Sequence, residues 1–128
     1  MNLQADPIAK LLKLPIKPLS DIELENYVKH LNIPYFEGVF MKDQLPNKIR
    51  KNESMIINLD DSIGQGTHWV CFVKKGKIIN YFDYFGVKPP AELLDYFENF
   101  DVYYNVDQNQ NFDEVICGHL CLDFLTTF

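Results

Sequence analysis

Apolar residues fall into short, sharply bounded groups along the chain, and their spacing switches between helical and strand-like. Behind Ser20-Asp21-Ile22-Glu23, which fits a capping box with Ser20 as N-cap, the residues Ile22, Tyr27, Val28 and Leu31 recur at helical intervals. That spacing predicts a helix over 21–31, stopped before Pro34. Short runs at 35–40 and 55–59, bounded by proline or polar residues, read as strands. Next, 68–74 and 77–84 flank Lys75-Gly76, the strongest hairpin signal in the sequence. Pro89-Pro90 opens a helix over 91–100, with Leu93, Leu94, Phe97 and Phe100 as its core face. Residues 102–105 form a further short strand, and a polar stretch over 107–111 separates it from 117–128. There Leu120, Cys121, Phe124, Leu125 and Phe128 repeat at helical spacing, which predicts a core helix. Residues 1–19, punctuated by Pro7, Pro15 and Pro18, are a lead-in segment to a body over 20–128. The order of elements predicts one α+β domain spanning 1–128.

Composition narrows the picture. A chain of 128 residues suffices for one domain and is short for two. With 47% hydrophobic and 14% aromatic residues it can fill a core, which excludes a disordered chain. Twelve basic residues face 18 acidic ones, a net charge of −6, which argues against a nucleic-acid backbone as main partner. The basic residues that do cluster are Lys48, Arg50 and Lys51, with Lys74, Lys75 and Lys77 near the hairpin turn. No run approaches the roughly 20 apolar residues of a membrane span, so no membrane partner is expected. The N-terminus lacks a signal-peptide pattern and the cysteines number three, so the chain is expected to be soluble, intracellular and reduced, with free thiols.

Candidate chemistry lies in an ordered set: His68-Trp69, Asp83, a glutamine at 108 or 110, and Cys117-Gly118. Singly, each has an ordinary structural role open to it; the hairpin links them. Counting outward from the Lys75-Gly76 turn pairs position 68 with position 83, so imidazole and carboxylate meet across the ribbon. Such a carboxylate orients the imidazole and stabilises its charged form. Cys117 stands at the start of the last helical pattern, where free N–H groups and the positive dipole end favour negative charge on sulfur. Gly118 permits close approach of a substrate carbonyl. A glutamine amide together with the Cys117 N–H would supply an oxyanion hole. Nucleophile, base, orienter and oxyanion donors together describe acyl transfer. A metal site built on Cys117, His119 and Cys121 is the first rival, but His119 points away from the face shared by the two cysteines, and structural zinc wants four ligands. No metal or other cofactor is expected.

GTHWVCFV, then YFDYFG, then Gln110 followed seven residues later by Cys117-Gly118-His-Leu-Cys resembles the adenovirus endopeptidase (adenain) family. That family shares its clan with the SUMO- and ubiquitin-like-protein proteases. The resemblance covers 64–128. Upstream, LSDIELENYVKHLNIPYFEGVFMKDQLP is similar to the start of adenain-like proteases of adenovirus-related and polinton-like DNA viruses and elements. The resemblance implies a papain-like α+β fold, a twisted mixed sheet with the nucleophile helix packed against it. It implies His68 as general base, Asp83 as orienter, Cys117 as nucleophile and Gln110 as oxyanion residue, with Gln108 the rival for that last role. It places Trp69 beside the cleft, where a core role is equally open to it. The activity implied is a monomeric cysteine endopeptidase that cleaves polypeptides beside small residues such as glycine. It would process viral structural precursors in an infected cell, in nucleus or cytoplasm, and be packaged in the virion. The family's activation by DNA sits poorly with the net acidity. Cys71 and Cys121 match no peptide-linking cysteine and are expected to be structural, without a disulfide partner. A ubiquitin-like-protein deconjugating protease and a catalytically silent binding module remain the alternatives.

Overall fold

Alternation along the central strands divides the molecule into layers. In a computed structural model, which describes residues 18–60, 68–105 and 117–127, the elements run α1 (Asp21–Leu31), β1 (Phe36–Met41), β2 (Asn52–Asn58), β3 (Trp69–Lys75), β4 (Ile78–Phe82), α2 (Ala91–Phe97), β5 (Asp101–Tyr104) and α3 (Cys117–Thr126). The strands lie side by side in the order β1-β2-β3-β4-β5. The outer pairs β1/β2 and β4/β5 are parallel, and the inner pairs are antiparallel. This is a mixed α+β architecture.

β3 is buried throughout except at its last residue, because both of its faces are covered. One face carries Trp69, Cys71 and Val73 and, from β2, Ile56; α1 and α3 cover it with Leu24, Val28, Cys121, Leu122 and Leu125. Val70 and Phe72, with Met55, Ile57, Ile79 and Tyr81, form the other face under Leu93 and Phe97 of α2. Phe97 sets its ring edge-on to Phe72, with centroids 4.8 Å apart.

The capping box of α1 forms as its sequence implies. The Ser20 Oγ accepts the Glu23 N–H, and the Glu23 Oε1 accepts the Ser20 N–H, each at 3.2 Å. Asn32 in a left-handed conformation closes the helix. The buried stripe is Leu24 and Val28, whereas Ile22, expected on the apolar face, is 67% exposed. A four-residue step from Leu24 to Val28 points at the sheet, and Ile22 lies some 200° around the helix from Leu24.

Two expectations need correction. α2 ends at Phe97 rather than Phe100, and Leu94 is exposed. Glu98 has φ of 53° and ψ of −126°, a positive-φ conformation in which the helix cannot continue, and the Leu93 and Phe97 pair leaves Leu94 off the buried face. The hairpin turns at Gly76-Lys77, one residue later than expected, with Lys75 opposite Ile78 and Cys71 opposite Phe82. Gly76 takes φ of +64°, the glycine-first signature of a type II′ loop. Extending that ladder sets Phe85, not Asp83, opposite His68. The register is therefore slipped by two, which is the smallest slip that leaves every side chain on its own face.

The basic residues do not add up to one exposed patch. Lys74 is buried, its Nζ donating to the carbonyls of Arg50 and Lys51 at 2.8 and 2.9 Å and lying 4.1 Å from the Phe100 ring centre. Arg50 pairs with Glu37. Among the described residues no helix is long and apolar enough to cross a membrane.

Candidate active site

The polar residues of interest gather where β3 begins and β4 has just ended. His68 immediately precedes β3, and Asp83 immediately follows β4. Despite the shifted register the two side chains meet diagonally, with His68 Nε2 2.8 Å from Asp83 Oδ1. The same Oδ1 accepts the Phe85 N–H at 2.8 Å, a turn closed by an aspartate on the residue two ahead. That turn carries the Phe85 ring onto the imidazole, stacked at 4.5 Å between centroids and 21° between planes. Asp83 is 1% exposed, so its carboxylate has little access to water and relies on these donors.

Cys117 opens α3 and is buried at 2% exposure. Its Sγ accepts the Trp69 N–H at 3.4 Å, which ties the sulfur to the residue next to His68 across 48 positions of chain. The cause is packing: α3 lies on β3 and against α1, so its first residue reaches the end of the sheet. The imidazole is thus held by a carboxylate on Nε2, while its buried Nδ1 has no hydrogen-bond partner among the described residues and the Cys117 thiol lies beside the ring, tied to the next residue. Burial lowers the His68 pKa, but the bonds and charges of Asp83 and Cys117 outweigh it and raise it from 6.5 to about 9. That raised pKa favours the protonated ring, in which Nε2–H donates to Asp83.

The remaining positions behave differently. The Trp69 indole is a core group, buried among α1 and α3 residues, and its Nε1 donates to the Leu19 carbonyl at 3.0 Å. Of the two roles open to it, this is the one the fold displays. A Cβ on Gly118 would lie 3.3 Å from Leu24 Cδ2 and 3.3 Å from Trp69 Cδ1. The glycine thus lets α3 sit tightly on α1 and Trp69, a packing need apart from any approach of substrate. Cys71 and Cys121 are buried core residues, with Cys71 Sγ donating to the Cys121 carbonyl at 3.7 Å. Burial pushes the Cys121 thiol well above its ordinary pKa. Gln108 and Gln110 lie outside the described residues. No group of three or more His, Cys, Asp or Glu side chains among the described residues could hold a metal ion.

Two neighbours of the dyad went unnoticed in the sequence. One is Phe85, which the Asp-x-Phe spacing of an aspartate turn could have suggested. The other is Asn105, whose Oδ1 accepts the Asp83 N–H at 2.9 Å and whose Nδ2 donates to the Asp83 carbonyl at 2.6 Å. Nothing in the local pattern marks Asn105, since only the parallel pairing of β4 with β5 brings it there.

No protein-family model matches the chain, and no curated protein does.

Proposed function

We propose that this chain is a cysteine endopeptidase of the adenain-like kind, with the papain-like arrangement of nucleophile helix on sheet. The observation that carries the proposal is an imidazole bonded through Nε2 to a buried carboxylate, beside a thiol at the start of a helix whose Sγ accepts the N–H of the residue after that histidine. An imidazolium and a helix N-terminus both stabilise negative charge on sulfur. Cys117 Sγ then attacks the peptide carbonyl, and its electron pair forms the C–S bond while the π electrons move to oxygen. Collapse of that intermediate expels the amine, which takes the proton from His68. The neutral ring next removes a proton from water, which attacks the thioester, and the sulfur leaves as thiolate while the ring keeps that proton, restoring the starting pair. Asp83 holds the ring throughout by accepting from Nε2.

The oxyanion needs donors. The Cys117 N–H is one, and the resemblance nominates Gln110 as the other. Gln110→Ala is expected to lower kcat about 10²–10³-fold, measured on any cleaved peptide. The same loss from Gln108→Ala, with Gln110→Ala near wild type, would transfer the role to Gln108.

The substrate class proposed is polypeptide with glycine or another small residue beside the scissile bond, drawn from viral structural precursors. The test is to incubate the chain with a peptide library made from a denatured proteome and to read the new N-termini by mass spectrometry. Cleavage beside small residues, abolished by prior iodoacetamide, is expected. An identical set of termini with and without the chain would overturn the proposal.

A further inference from the structure

Asn105 stands one residue beyond β5, and both ends of its side-chain amide are spent on a single residue. Its Oδ1 takes the Asp83 N–H and its Nδ2 gives to the Asp83 carbonyl. The parallel ladder of β4 and β5 runs from Ile78↔Asp101 to Tyr81↔Tyr104 and stops there. A primary amide offers one acceptor and a donor in one plane, so it replaces the missing strand for one more residue of β4. Asp83 is consequently held at its main chain by Asn105, which alone of the two partners there reaches its N–H, and by the Gly86 N–H on its carbonyl at 2.9 Å, and at Oδ1 by His68 and the Phe85 N–H.

Only two side-chain torsions separate the Asp83 main chain from the carboxylate that meets His68. A displacement of that main chain passes directly into the 2.8 Å contact. Asn105 itself is half-buried, so water can take over its bonds if the amide is lost. The consequence of losing it is therefore positional more than thermodynamic.

We infer that Asn105 is a positioning residue, which sets the Asp83–His68 distance by clamping the main chain of Asp83. The inference rests on the proposed roles of His68 and Asp83. The titratable groups that act on His68 are Asp83 from the end of β4 and Cys117 from α3, so a shift of Asp83 registers in the His68 titration.

The experiment is an NMR pH titration of the His68 ring in the full chain, wild type against Asn105→Leu, with kinetics on a cleaved peptide. Leucine matches the volume of the amide and removes both hydrogen bonds. The wild-type ring is expected to titrate near pH 9. In Asn105→Leu it should titrate about one unit lower, with kcat down about tenfold and KM unchanged. Asn105→Gln keeps donor and acceptor and should recover part of both. If Asn105→Leu gives a collapsed spectrum, Asn105→Ser carries the same comparison. A wild-type ring near pH 9 with no shift and no loss of kcat in the variant overturns the role of Asn105 alone. A wild-type ring titrating at its ordinary pH 6.5 overturns the His68–Asp83 roles as well.

Discussion

Cys117→Ala is expected to abolish peptide cleavage, a loss of about 10⁵–10⁶-fold in turnover, while leaving the fold in place. The sulfur is the one group in the cluster able to form the covalent intermediate, and neither His68 nor Asp83 can replace it. Folding should suffer modestly. The Trp69 N–H loses its acceptor when Sγ goes, and a buried donor left unpaired costs about 1–3 kcal/mol. Circular dichroism should show the native spectrum with a lowered melting temperature, and labelling by iodoacetamide at this position should vanish. Cleavage that survives the substitution at even a hundredth of the wild-type rate would remove Cys117 as the nucleophile.

His68→Gln comes next in size, with kcat reduced about 10⁴-fold or more, because the proposed mechanism uses one ring as acid, as base and as the counter-charge to sulfur. Asp83→Asn should cost less, since an amide oxygen can still accept from Nε2; equal damage would mean that the carboxylate charge is indispensable. The same ring sets a pH dependence. Its pKa is raised from 6.5 when unfolded to about 9 when folded, so the folded chain holds the extra proton between those values. The stabilising contribution is complete below about pH 6.5 and is lost as pH climbs through about 9. Urea unfolding of wild type and His68→Gln should therefore differ most near pH 6 and converge by about pH 10, and turnover should fall on the alkaline side with the same midpoint. A stability difference that is flat across this range would contradict the ion pair.

Much of the architecture was legible because it depends on nearest neighbours. The α1 start follows from Ser20 and Glu23, three residues apart, whose bonds are local. The hairpin follows from two apolar runs around Gly76. Its register did not, because moving the two-residue turn one position along the chain shifts the pairing by two while leaving the hydrophobic pattern equally well satisfied. That indifference is also why His68 and Asp83 still meet: the slip moves them from directly opposite to diagonal on one face. The early end of α2 escaped for a related reason. Phe100 sits at a helical interval from Phe97, yet the chain turns at Glu98 and Phe100 reaches the same core from outside the helix.

The sequence by itself determined which segments could form helix or strand, and where a thiol, an imidazole and a carboxylate stand in the order that the proposed acyl transfer needs. Tertiary structure alone decided that Cys117 reaches the end of β3, that Gly118 answers to Leu24 and Trp69, and that Asn105 grips Asp83. Periodicity constrains a residue's direction only relative to its own element. How one element settles on another depends on shape and close packing among residues far apart in the chain, and no local spacing records that.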